Sequence, residues 1–312
     1  MNSSKCENKP LVSLCVLFYN QENFVDEAID GVLSQTYENC EVILSDDCST
    51  DSTYEHILNK VSNYSGNKKI IVNRNEKNVG LVPHVNRLIY TLSHGTYIIL
   101  TGGDDISLPN RVMNTVELFL SNPNASMVTL SCVIIDKSGK EKSTRISKDR
   151  LICCTDQDYL RHSSMWIGNL AMAYRRDILL SYSPLSDDCQ TEDSTLRFRS
   201  MLKGPILDSS IVGIKYRVHG NNISIGNLKY KLKSHEIAEQ YRKDLLANIN
   251  CISSKTYRIL QKKIDYYERF REISSKQALS NNNILTKFSN RIKHYLLRKL
   301  YHVNVSIYLY NK

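Results

Sequence analysis

Two short acidic clusters carry the clearest chemistry in this sequence. Ser45-Asp46-Asp47-Cys48-Ser49-Thr50-Asp51 follows one strand-like segment, and Gly102-Gly103-Asp104-Asp105 follows another. Asp and Ser at such places routinely cap helices and close turns. Neither cluster holds a Lys or Arg, however, so its neighbouring carboxylates repel one another unless a cation stands between them. An all-oxygen donor set suits Mg2+ or Mn2+, which would bridge to a diphosphate.

The elements that must position these acids are legible up to Ile135. Val12 to Tyr19 is a nearly continuous apolar run, as expected of a strand buried on both faces. Val25, Ala28, Ile29, Val32 and Leu33 then recur at helical spacing. Glu41 to Ser45 reads as a second strand. Ser52 and Glu55 have capping-box spacing before a helix burying Ile57, Leu58 and Val61. Ile70 to Asn73 is a third strand, and a helix with Val85, Leu88, Ile89 and Leu92 on one face leads to a fourth, Tyr97 to Thr101. Pro109 suits the first turn of the next helix, and Met127 to Ile135 is a further strand.

This alternation predicts a parallel sheet with crossover helices. In open sheets of that kind, ligands bind beyond the carboxyl ends of the strands, where both acidic clusters fall. From 140 to 228 the pattern is less regular, with one helix expected from Ser194 to Leu202. There is no G-x-G-x-x-G after the first strand, where Tyr19-Asn20-Gln21-Glu22 stands, and no Walker loop. Dehydrogenase and P-loop chemistry are therefore disfavoured.

Composition narrows the class further. The 312 residues are 41% hydrophobic and 23% charged, enough to bury a full core and unlike a disordered chain. Nine cysteines without zinc-type C-x-x-C spacing point to reduced thiols. Met1 to Pro10 is polar and no stretch approaches the ~18 apolar residues of a membrane span, so a cytoplasmic protein is expected. The net charge of +9 is uneven: residues 229–312 hold 18 Lys/Arg against 6 Asp/Glu, while the rest is slightly acidic. A basic tail on a near-neutral body calls for an anionic partner.

Taken in order, VSLCVLFYNQENFVDEAIDGVLSQTY, EVILSDDCSTDST, NVG and YIILTGGDDISLPNR resemble glycosyltransferase family 2, of the GT-A fold. Thr191-Glu192-Asp193-Ser194-Thr195-Leu196 resembles the family's E-D motif, and Tyr216 to Ser224 its late His-containing segment. The likeness covers about residues 10–228, with five motifs in the right order. It implies that Asp47 hydrogen-bonds the nucleotide base, typically uracil. Asp105 matches the metal ligand and Asp104 its neighbour facing the ribose or metal. The element reads Gly103-Asp104-Asp105 instead of a full D-x-D, so one direct carboxylate ligand is the safer carry-over. Asn78 and Gly80 would shape the loop near the nucleotide, and His219 would touch the diphosphate or the metal.

The resemblance makes Asp193 the general base, with Glu192 the competing assignment. Transfer with inversion needs a base on the face opposite the leaving nucleotide. A metal would stabilise the departing diphosphate. Acids also favour helix N-termini for electrostatic reasons alone, and a lone His is often structural. Trp166, the only tryptophan, either stacks on an acceptor sugar or belongs to the core. Processive synthases of the family carry a Q/R-x-x-R-W motif that is missing after Asp193, which favours addition of a single sugar.

The expectation is an α/β protein of GT-A type, a mostly parallel twisted sheet flanked by helices with a basic helical C-terminal extension. Residues 1–228 would form the catalytic domain, 10–135 its nucleotide-sugar half and 136–228 its acceptor half, and 229–312 the basic region. From Ile284 to Val303 an apolar face adjoins Lys287, Arg291, His294, Arg298 and His302. Such a helix lies on anionic lipid at the inner membrane face or packs on the catalytic domain. The expected function is inverting transfer from a UDP-linked donor to a saccharide, lipid-linked, in O-antigen or capsule-type assembly, with Mn2+ or Mg2+ as cofactor. The alternatives are a nucleotidyltransferase of related fold and a non-catalytic nucleotide-binding protein. A nucleic-acid partner is not expected, because no aromatic-interleaved recognition motif is present.

Overall fold

The computed structural model describes residues 9–156, 159–160, 170–189, 191–220 and 234–279, with side chains up to residue 272. Trp166, segment 221–233 and the helix expected at Ile284–Val303 lie outside the described residues.

The chain runs β1 (Val12–Phe18), α1 (Val25–Leu33), β2 (Cys40–Asp46), α2 (Thr53–Ser62), β3 (Lys69–Arg74) and α3 (Leu81–Arg87). A wider π turn, Leu88–Leu92, extends α3 before β4 (Tyr97–Gly102) and β5 (Ile106–Ser107). Next come α4 (Arg111–Ser121), β6 (Met127–Asp136), β7 (Glu141–Arg145), β8 (Arg150–Ile152), β9 (Ala171–Arg175) and α5 (Arg176–Leu180). The last described elements are α6 (Glu192–Lys203), β10 (Ile206–Val218), α7 (Ser234–Leu246) and α8 (Ser254–Leu279).

One sheet gathers the strands in the order β3-β2-β1-β4-β9-β6-β10-β5, with β7 on β6 and β8 on β10. Strands β1 to β4 are mutually parallel, as the crossover helices require. The second half departs from the mostly parallel sheet read from the sequence. β9 enters antiparallel between β4 and β6, and β7 and β8 pair antiparallel with β6 and β10. The sheet is therefore mixed. Part of the reason is connection length: Asp136 to Lys140 is a tight turn, closed by Gly139 N donating to Asp136 O at 3.0 Å, and no parallel crossover fits in it.

Alternation along the strands builds two cores. Val12, Leu14, Val16, Val42, Leu44 and Ile99 face α1, α2 and α4. Cys15, Ile43 and Ile98 face α3, α5 and α6 on the other side. Ile237, Tyr241 and Leu245 of α7 and Leu260, Ile264 and Tyr267 of α8 belong to that second core. Burial of each such side chain contributes about 1.5–3 kcal/mol, so the α7–α8 hairpin packs as an integral part of the protein.

Two local expectations fail. Ser52 is the N-cap but its side chain makes no capping bond; its N–H, which Glu55 would take in a capping box, donates to Glu22 Oε2, and Thr53 N donates to Asp51 Oδ1 at 3.0 Å. Pro109 lies outside the first turn of α4, whose N-cap is Asn110, and Gln35 Oε1 accepts the buried N–H of Val112, which has no partner within the helix.

Candidate active site

The two acidic clusters flank the end of β1, because β2 and β4 are its neighbours on either side. Asp47 N donates to Phe18 O at 2.9 Å, and Gly103 N donates to Leu17 O at 2.8 Å. The loop after β1 is knitted to the loop after β2 by Asn20 N to Ser49 Oγ, Gln21 N to Thr53 Oγ1 and Thr50 N to Asn20 Oδ1, all within 2.9 Å. Asn20 and Cys48 take φ of 52° and 59°, the left-handed region that Asn tolerates and Cys rarely adopts. Gly103 lies against the Phe18 ring so closely that no Cβ would fit.

Asp47, Asn78 and Gly80 come together. Asp47 is 3% exposed, and its Oδ1 accepts from Asn75 Nδ2 at 2.8 Å and Val79 N at 3.0 Å. Its Oδ2 accepts from Gly80 N at 2.9 Å, and Asn78 Oδ1 accepts from the same N–H. Gly80 has φ +86°, which glycine adopts without strain, and that conformation turns the N–H toward Asp47. Asp46 is tied down separately by Ser49 N and by Arg74 Nε at 3.3 Å. Beneath them buried His84 holds Ser45 Oγ through Nε2 at 2.6 Å, and burial pushes its pKa below the usual value.

Asp104, Asp105 and His219 form a second group. His219 Nε2 stands 3.0 Å from Asp104 Oδ2. Asp105 Oδ1 accepts from Arg217 N at 3.0 Å. Burial, and then the charge of Asp104, hold the Asp105 carboxyl well above the ordinary range, against the opposing pull of Arg111 and Arg217. Arg217 organises this group. Its guanidinium, 1% exposed, donates from Nε to Asp104 O at 2.9 Å and pairs with Glu27 of α1. It also reaches Lys137 O at 3.2 Å and lies over the Phe24 ring, whose neighbour is His219. Buried Arg111 donates to Ser107 Oγ at 2.9 Å, and burial lowers its pKa to about 10.

Glu192 and Asp193 open α6, where the helix dipole favours negative charge. Burial raises both acids. The Arg197 guanidinium and the Ser194 N–H partly hold Asp193 down. Glu192, with the charge of Asp193 beside it, is pushed up to about 8. Burial thus makes both carboxyls hold a proton more tightly than free ones, with Glu192 further raised by the charge of Asp193.

The acids are not without cations, although neither loop holds a Lys or Arg: Arg74, Arg111 and Arg217 reach them from other elements. A signal for Arg217 was present: an arginine inside the apolar run of β10 must find acceptors once buried. Among the described residues, no group of three or more His, Cys, Asp or Glu is arranged to hold an ion. Asp104, Asp105 and His219 lie together where β4 and β10 end.

An α/β sheet whose neighbouring parallel strands end in two acidic clusters is the arrangement of a GT-A-like fold, and the class is a sugar transferase. The profile of glycosyl transferase family 2 matches residues 13–182, more than half of the chain, and the chain belongs to that family. The matched stretch contains Asp47, Asp104 and Asp105 and ends before Glu192. An uncharacterized glycosyltransferase of Haemophilus influenzae is 28% identical over 248 residues, 76% of this chain and 74% of that protein. The Escherichia coli enzyme WfaP, a UDP-Glc:alpha-D-GlcNAc-diphosphoundecaprenol beta-1,3-glucosyltransferase, is 31% identical over 107 residues, 34% of this chain and 40% of that protein. The crystal structure of GalNAc-T7 with UDP, GalNAc and Mn2+ superposes with a TM-score of 0.58 at 14% identity, covering 94% of this chain and 56% of that one. That likeness is one of fold.

Proposed function

We propose that this transferase moves one sugar, with inversion, from a UDP-linked donor to a lipid-linked saccharide in surface-polysaccharide assembly of O-antigen or capsule type. The observation that carries the reading is the state of Asp47. A carboxylate offers about four acceptor positions, and the chain fills three of them. The position left on Oδ2 suits one N–H donor, such as the imide of uracil. On the far side of β1, Asp105 would hold a divalent cation, with Asp104 and His219 beside it. When bound, such an ion would neutralise charge on the departing diphosphate. Asp193 would take the proton of the acceptor hydroxyl, and Glu192, holding its proton, would leave that role to its neighbour.

The names of two relatives agree in part: WfaP uses a UDP-linked glucose and a lipid-diphosphate acceptor, and GalNAc-T7 binds UDP and Mn2+. A panel of UDP-, GDP- and dTDP-sugars, scored by nucleoside diphosphate release with Mn2+ or in chelator, tests the reading. Release from UDP-sugars that stops in chelator is expected. Undiminished turnover in chelator would remove the metal, and release of pyrophosphate would favour a nucleotidyltransferase. The basic region 229–312 supports a peripheral position on anionic membrane at the cytoplasmic face. Among the described residues no helix is long and apolar enough to cross a membrane. Removing residues 281–312 should weaken salt-sensitive vesicle binding and leave UDP affinity unchanged.

A further inference from the structure

The acids of α6 rest on the C-terminal hairpin, and one tyrosine makes the join. Tyr241, fully buried on α7, donates its hydroxyl to Ser194 Oγ at 2.9 Å. Ser194 is the residue after Asp193. Its backbone N–H donates to Asp193 Oδ1, and its hydroxyl donates to the carbonyl of Thr191, the N-cap, at 3.4 Å. One hydroxyl thus ties together both ends of the turn that bears the two carboxylates. Phe198, one helical turn further on the same face, meets the Tyr241 ring edge-on at 5.1 Å. Tyr267 of α8 closes the other side at 5.7 Å.

The tyrosine itself is held rigidly. Arg199 of α6 makes a two-pronged pair with Asp244 of α7, Nε to Oδ2 and Nη2 to Oδ1 both at 2.9 Å, with side chains 2% and 3% exposed. Gln240 donates to Asp244 at 3.0 Å and accepts from Ser186 N at 3.0 Å. Asn248 donates to Tyr182 Oη at 2.8 Å. Three positions of α7 and Asn248 just beyond its end therefore grip α6 and the loop before it. That is more polar precision than an apolar contact needs, because a desolvated ion pair stabilises little by itself and chiefly fixes geometry.

We infer that Tyr241, acting through Ser194, is a positioning residue that sets the Asp193 carboxylate for attack by the acceptor. The inference rests on Asp193 being the base. Tyr241→Phe removes only the hydroxyl and keeps the ring that packs on Phe198 and Tyr267. A hydrogen bond of ordinary strength corresponds to a roughly fivefold change in rate. Tyr241→Phe and Ser194→Ala should each lower kcat by about that factor, with donor KM and UDP affinity within about twofold of the parent. Because the two residues act as one device, the double variant should be no slower than the slower single one. A role confined to stability would lower the melting temperature and leave kcat of the folded fraction alone.

Full kcat in Tyr241→Phe, or single effects that multiply in the double variant, would overturn the inference. Asp193→Asn run beside them separates the two levels. If Asp193→Asn is inactive while Tyr241→Phe is normal, only the positioning role falls. If Asp193→Asn transfers normally, the base assignment falls and takes the positioning role with it.

Discussion

The fold treats its two sets of acids in opposite ways. At the strand ends, Asp46, Asp47, Asp104 and Asp105 are held by backbone N–H groups and by arginines brought from β3, β10 and α4. Asp46 and Asp47 belong to a prebuilt mould whose acceptors are largely filled before any ligand arrives, while burial and the charge of Asp104 keep Asp105 raised. Among the described residues, Glu192 and Asp193 have a helix terminus and the charge of Arg197 on Asp193, with Tyr174 and Tyr267 within electrostatic reach. Burial keeps the affinity of these two acids for a proton high. A mould for binding needs settled charge, whereas a base needs a carboxylate that gains by taking a proton.

The sharpest break of this comparison is at Asp105. Asp105→Asn keeps the shape and removes the charge, so metal-stimulated UDP binding and turnover should both be lost; calorimetric titration of UDP with and without Mn2+ checks it. Asp193→Asn comes next. It should slow transfer by roughly 10²–10⁴, the usual worth of a general base, with donor affinity nearly unchanged. Comparable losses of donor binding in both variants would erase the distinction between the two regions.

Arg217→Lys is expected to act on the mould alone. Lysine keeps the charge but not the fork that reaches Glu27, Asp104 O and Lys137 O together. Loss of about 1.4 kcal/mol of donor binding is a tenfold rise in donor KM. Rates at saturating donor should hold.

The smallest effect is expected at Glu192. The folded protein keeps a proton there up to about pH 8, while the unfolded chain releases it near 4.5. Stability should therefore fall as pH rises between about pH 5 and pH 8. Glu192→Gln removes this slope, so its melting temperature should gain on the parent's with rising pH, with only a minor loss of transfer. Parallel melting curves across that range would show that Glu192 is ionised throughout.

The two regions were also unequally legible in the sequence. The donor edge follows from local pattern: apolar strands, Asp at their ends, Gly80 where a positive φ is needed. β1 to β4 and their helices lie within a residue or two of where periodicity put them. The wedge strand β9 was missed, because five residues of Ala171–Arg175 carry no alternation that marks an edge or a direction. The Arg199–Asp244 pair and the Tyr241–Ser194 bond were invisible for another reason. They join residues 45 and 47 positions apart whose types look like an ordinary solvated helix. The C-terminal region read as a basic appendage because charge counts ignore which face each residue takes.

The Arg217 bracket has a consequence for how the protein is made. Its partner Glu27 lies 190 positions earlier in the chain, and its contact to Asp104 O spans 113. During synthesis β1, α1, β2 and β4 all leave the ribosome long before the arginine that locks them. A nascent chain can lay down the parallel half-sheet early, since those contacts are comparatively local. Asp104 and Asp105 lack their Arg217 contacts until β10 is threaded beside β6, with two-thirds of the polypeptide already made.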